Sequence, residues 1–116
     1  MKLRTQFPAV SVVAAALWAA TATAPAGAAD AAAAEVLARQ NGCLKCHAVD
    51  KPKEGPSYTE VAAKYKGKPG AEAQLIHHIT TAAKAKFPDG HEEEHKVIKT
   101  RDMNEIKNLV GWILSL

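Results

Sequence analysis

Two stretches of the 116-residue sequence concentrate side chains that can bind metal or form covalent bonds. "NGCLKCHAVD" holds the chain's only cysteines, Cys43 and Cys46, with His47 directly after them. "DGHEEEHKVIKTRDM" holds His91, His95, the three consecutive glutamates Glu92, Glu93 and Glu94, and Met103, the only methionine besides the initiator. The first stretch is C-x-x-C-H, the attachment pattern of a c-type haem. Two thiols on one turn add across the two vinyl groups at one porphyrin edge, and the adjacent imidazole is then directed under the ring toward the iron. Three other readings compete. A thioredoxin-like C-x-x-C needs a surrounding β-α-β pattern, and no run here alternates Val, Ile, Tyr or Thr. A structural zinc site needs four ligands in two clusters; a second C-x-x-C is absent, although histidines could supply two ligands. A plain disulfide leaves His47 without a role.

The domain that positions these residues is small. The chain opens with a short basic start (Lys2, Arg4), an apolar run from about Pro8 to Ala20, and an A-x-A pattern at Ala26, Gly27 and Ala28. That is the layout of a secretory signal peptide, and the apolar run is well short of the roughly 20 residues a membrane span needs. Cleavage is expected between Ala28 and Ala29 or just after Ala29, which divides the chain into a signal peptide, 1–29, and one domain, 30–116. Export implies the periplasm, no membrane span after cleavage, and a disulfide-permissive compartment. At this size a core of its own is marginal and needs a staple. Losing Lys2 and Arg4 leaves 13 basic residues against 12 acidic ones, a net charge of +1. This balance argues against nucleic acid as a partner.

The pattern along the mature chain is helical. "AAAAEVLARQ", 31–40, consists of strong helix formers with Val36 and Leu37 on one face, and it stops at Asn41-Gly42, immediately before the cysteines. "VDKPKEGPSYTE" is loop. Ser57 or Thr59 then caps a short helix in which Tyr58, Val61, Ala62 and Tyr65 share a face. After the turn "KGKPG", the stretch 71–87 reads as a third helix with Leu75, Ile76 and Ile79 on one side, closed by Pro88, Asp89 and Gly90. The last segment places Met103, Ile106, Leu109, Val110 and Ile113 on one apolar stripe, with Asp102 and Glu105 as a capping box. The expected fold class is all-α, about four helices wrapped on one flat apolar cofactor.

With these segments in this order, the chain resembles the small bacterial class I c-type cytochromes through nearly its whole mature length. "EGPSYTEVAAKYKG" is similar to the family's segment after the haem motif, and "LVGWILSL" to its last helix. The resemblance implies one covalently bound haem c per chain, attached through Cys43 and Cys46, with His47 as proximal axial ligand. It implies that the Pro56 carbonyl accepts a hydrogen bond from the His47 ring, that Gly55 permits the close backbone approach, and that Trp112 packs near the haem edge and against the first helix. Such a bond controls ligand basicity.

The sixth ligand departs from the family, whose distal methionine lies in a proline-containing loop before the last helix. Met103 is instead at the start of that helix, on the stripe of a core methionine. The position at which the family's methionine falls, counted back from Trp112, is close to His95. His95 is therefore the expected distal ligand, with Met103 as the lesser candidate and His91 weaker beside its Asp-Gly turn; His77 and His78, in mid-helix, read as surface or packed residues, with one of them facing the haem as the alternative. Histidine in place of methionine lowers the reduction potential, and nearby carboxylates push the same way.

With both axial positions filled, the expected function is that of an electron carrier between redox partner proteins and not of an enzyme. The lysines of "DKPK", "KYKGK" and "KAK" are the candidate docking surface for an acidic partner, with ordinary solubility as the alternative. Two rivals stand beside this reading: a gas-binding haem protein for carbon monoxide or nitric oxide with a displaceable distal ligand, and a peroxidase-like enzyme using His91 and Glu94.

Overall fold

The computed structural model describes residues 29–116; the expected leader, apart from Ala29, lies outside them. Four helices form in chain order: α1 (Ala31–Gln40), α2 (Tyr58–Tyr65), α3 (Ala71–Thr80) and α4 (Met103–Leu114). A single 3-10 turn, Cys43–Lys45, follows α1, and an antiparallel hairpin of β1 (Lys84–Lys86) and β2 (Glu92–Glu94) separates α3 from α4. Among the described residues no helix is long and apolar enough to cross a membrane.

Three of the four helix starts have a side-chain cap, and α3 begins after Gly70 without one. Asp30 caps α1 by accepting the Ala33 N–H. Ser57 and Glu60 form a reciprocal capping box on α2, the Ser57 side chain taking the Glu60 N–H and the Glu60 carboxylate taking the Ser57 N–H. Asp102 caps α4 through the Asn104 N–H, but Glu105 does not complete the expected box: its carboxylate accepts the Thr100 hydroxyl instead.

The core lies where α1 and α2 meet α4. Ala34 and Ala38, both fully buried, let α1 approach α4 closely, and Ile106, Leu109, Trp112 and Ile113 supply the opposing face. Burying side chains of this size contributes about 1.5–3 kcal/mol each. At the outer end of the α1–α4 pair a reciprocal amide clamp closes the contact: the Asp30 N–H donates to Asn108 Oδ1 at 2.8 Å and Asn108 Nδ2 donates to the Asp30 carbonyl at 2.9 Å.

Three expectations need correction. The third helix ends at Thr80 and not at Phe87: Ala82 takes a left-handed φ of 48°, and 84–86 form a strand paired to 92–94 in the register Lys84 to Glu94, Ala85 to Glu93 and Lys86 to Glu92. Opposite charges across the ladder outweigh the helix propensity of the Lys/Ala run. Met103 opens α4 at the solvent end of its stripe, 46% exposed, and is not a core methionine. Val36 is likewise exposed, and only Leu37 of the expected α1 pair is buried.

Candidate functional site

The chain turns sharply from α1 into the cysteine motif. Gly42 adopts a φ of 70°, a left-handed conformation that only glycine reaches without penalty. The 3-10 turn then stacks Cys43 and Cys46 on successive bonds: the Cys46 and His47 N–H groups both donate to the Cys43 carbonyl, at 3.2 and 3.0 Å. Both thiols are half-buried and free. Burial pushes the Cys43 thiol up, partly offset by a hydrogen bond with Tyr58; burial, then the Glu54 carboxylate bonded to its sulfur, pushes Cys46 up.

His47 is held by the loop that follows. The Gly55 N–H donates to the Cys46 carbonyl at 2.8 Å, and the Tyr58 and Thr59 N–H groups donate to the Ala48 and Val49 carbonyls, so the loop folds back along the motif. This brings the Pro56 carbonyl to 2.7 Å from His47 Nδ1. A carbonyl only accepts, so Nδ1 carries the proton and Nε2 keeps its lone pair. Gly55 has no room for a side chain: a Cβ there would lie 2.6 Å from His47 Cε1 and 3.2 Å from the Cys46 carbonyl oxygen. Tyr58, buried behind the ring, stacks on His47 with centroids 5.3 Å apart and meets Trp112 edge-on at 5.7 Å. Burial raises the Tyr58 phenol far above its ordinary range.

The hairpin brings a second imidazole opposite the first. The His95 N–H extends the ladder by donating to the Ala83 carbonyl at 2.8 Å. The His95 ring centre is 6.2 Å from that of His47. Its Nδ1 lies 2.9 Å from the Lys96 carbonyl, so this ring also presents Nε2. Burial lowers the pKa of His95, favouring the neutral imidazole that binds metal. An imidazole nitrogen sits about 2 Å from a first-row metal ion, and the ring centre about 1 Å further, so two imidazoles on opposite sides of one metal have centres roughly 6 Å apart. The residues therefore fit a planar group with one metal ion between them.

Other candidates are placed elsewhere. His91 is in the exposed loop between the strands, bonded to Asp89 and Glu93, and His77 is exposed on α3. Of the two α3 histidines, His78 is the one turned to the site: its ring is 4.2 Å from that of His95, and burial followed by the His95 charge lowers its pKa. An open cleft of about 490 Å³ lies between the 53–54 segment and the hairpin, lined by Lys53, Glu54, Phe87 and Pro88 among others. Asn41 and Tyr58 were read from sequence only as a helix stop and a packing position. An aromatic residue one turn after a glycine-proline pair was the available signal for Tyr58; for Asn41 no local signal exists.

No protein-family model matches the chain. Cytochrome c-551 of Pseudomonas aeruginosa is 36% identical over 81 residues, covering 70% of this chain and 74% of that protein. The chain belongs to the class I c-type cytochromes. Cytochrome c-551 of Allochromatium vinosum is 35% identical over 81 residues, 70% of this chain and 83% of the relative. The crystal structure of the class 1 cytochrome MtoD from Sideroxydans lithotrophicus ES-1 superposes with a TM-score of 0.73 at 64% identity, over 76% of this chain and 97% of that one. Membership brings one covalently attached haem c as cofactor and the transfer of electrons, not enzymatic turnover, as the role. The cytochrome's four helices with one small sheet are the family's fold.

Proposed function

We propose that this cytochrome is a periplasmic single-electron carrier with bis-histidine ligation. Haem c is attached through Cys43 and Cys46, with His47 as proximal and His95 as distal ligand. Iron cycling between its ferric and ferrous states supplies the one-electron chemistry when the haem is bound. The observation that carries this reading is the His47–His95 pair, 6.2 Å between ring centres, with both Nδ1 atoms engaged by backbone carbonyls. A ligating histidine characteristically donates its other ring N–H in this way, which fixes the tautomer and raises ligand basicity. The Pro56 carbonyl does this for His47, and Trp112 backs the proximal side through Tyr58.

The remaining residues set the potential and the docking surface. Two imidazole ligands, together with Glu93 and Glu94 on the adjacent strand, favour the oxidised state and a lower potential than His/Met ligation gives. Lys84 and Lys86 lie in register opposite Glu94 and Glu92, so the basic surface for an acidic partner rests on Lys51, Lys53, Lys64, Lys66 and Lys68. Contacts of this kind are small, transient and salt-sensitive. Cleavage of 1–29 delivers the domain 30–116 to the periplasm, where the thiols meet the haem.

The test is the visible to near-infrared spectrum of the haem-loaded mature protein, oxidised, reduced, and reduced under carbon monoxide. Wild type should be low-spin, lack the methionine-to-iron charge-transfer band and ignore carbon monoxide. Because His78 lies beside His95, the variants are His95→Ala and the double variant H78A/H95A. Conversion of the double variant to a carbon-monoxide-binding form supports the assignment. A methionine band in wild type, or an unaltered low-spin spectrum in the double variant, overturns it.

A further inference from the structure

We propose that Asn41 is the positioning residue that fastens the distal-ligand segment, 95–99, to the segment carrying the haem-attachment cysteines. The inference rests on the reading of His95 as a ligand. Three backbone amides anchor 95–99 to the rest of the fold. The His95 N–H donates to Ala83 within the hairpin, the Ile98 N–H donates to the Ile79 carbonyl on α3 at 2.8 Å, and the Lys99 N–H donates to Asn41 Oδ1 at 2.8 Å. The first two are backbone pairs that any sequence could make. The third depends on one side chain, 58 residues away and two residues before Cys43.

The chemistry of that side chain fits the role. Asn41 and Ser57 are the two buried polar residues among those described, and the capping box of α2 accounts for Ser57. A buried amide is costly unless both its ends are bonded. Asn41 Nδ2 donates to the Leu37 carbonyl at 2.9 Å, closing the end of α1, while Oδ1 takes the Lys99 N–H. Ile98, next to the fastened amide, is buried in the core cluster. The attachment cysteines and the distal segment thus share one reference point, and His95 is four residues from the fastening.

The test is cyanide association with the ferric, haem-loaded protein, which requires the distal ligand to leave. In Asn41→Ala it should quicken about tenfold, the factor corresponding to one lost hydrogen bond in the closed state. Asn108→Ala is the control, since it removes the comparable amide clamp at the far end of α1 and touches nothing near His95; its rate should match wild type. Equal acceleration in the two variants would make Asn41 merely structural and overturn the proposal. An N41A rate equal to wild type would also overturn it, while leaving the ligand reading intact provided the double variant H78A/H95A is fast. A wild-type rate already as fast as that of the double variant H78A/H95A would remove the ligand reading and this proposal with it. Hydrogen exchange on wild type gives a second measurement that does not depend on the variant folding: the Lys99 amide should be protected, and exchange as fast as an open loop amide would overturn the fastening.

Discussion

His47 and His95 face each other across 6.2 Å with their Nδ1 atoms held by backbone carbonyls, but the two carbonyls are of different kinds. Pro56 is nine residues from His47 and reaches it through a loop stitched to the motif, whereas Lys96 is the residue next to His95. The proximal ring is also clamped by Gly55 and stacked by Tyr58. The His95 ring leans on His78 and on a segment tied down by single hydrogen bonds. If both histidines bind the iron as proposed, ligand loss is therefore expected first at His95.

Gly55→Ala tests the proximal clamp. The added Cβ would meet His47 and the Cys46 carbonyl below van der Waals separation, and overpacking of this kind costs about 2 kcal/mol. Denaturant unfolding of the haem-loaded variant should show that loss. Its spectrum should also gain a high-spin component, because the ring must rotate away from Pro56 to make room. Loss of stability with unchanged ligation would mean that the loop yields and not the imidazole.

The hairpin loop should respond to pH. His91 is raised above its ordinary 6.5, first by the Asp89 side chain and then by Glu93; Asp89 is lowered below its ordinary 3.8, first by the His91 backbone N–H and then by the ring. The raised histidine contributes stability that is fully present below pH 6.5 and is lost as pH rises through its folded value. The lowered aspartate contributes stability present above pH 3.8 and lost as pH falls through its folded value. The pair therefore supports the loop most between those limits. Nuclear magnetic resonance titration should place the His91 midpoint above 6.5, and Asp89→Asn should bring it down toward the ordinary value.

How far the sequence discloses this arrangement depends on how local the cause is. Helices α1, α2 and α4 follow from strong helix formers and capping residues inside each segment, and C-x-x-C-H with Gly55-Pro56 marks the proximal half within fifteen residues. The end of α3 is not local: Lys84–Lys86 favour helix by composition, and only pairing with Glu92–Glu94 makes them strand. Asn41 reads as a helix stop because its second partner, Lys99, is distant in the chain. His78 has the same difficulty, since its neighbour His95 arrives on a different element. Periodicity put Met103 on the buried stripe of α4, but the core ends one turn later, at Ile106.

Ala82 is the one non-glycine residue with positive φ among those described, and it sits where α3 gives way to β1. A Cβ in this conformation costs about 1 kcal/mol. Glycine relieves that strain and gives part of it back through the greater freedom of the unfolded chain. Ala82→Gly should stabilise the protein by about 0.5 kcal/mol in denaturant unfolding, whereas Ala82→Val should destabilise it, since a β-branched side chain tolerates this backbone least.

Met103 offers the sharpest contrast with His95, because it is the sole methionine among the described residues. It opens α4 directly after the Asp102 cap and is 46% exposed. With His95 on the iron, Met103→Leu removes no ligand and little packing, so stability should change by no more than about 0.5 kcal/mol. The reduction potential and the near-infrared spectrum should be those of wild type. With Met103 on the iron the same substitution would leave the sixth position open, lower the potential as a thioether ligand is lost, and admit carbon monoxide to the reduced protein. Since leucine keeps the size and apolar character of the side chain, a change in potential would report ligation and not packing. Voltammetry of Met103→Leu beside H78A/H95A separates the methionine reading from the histidine one in one experiment.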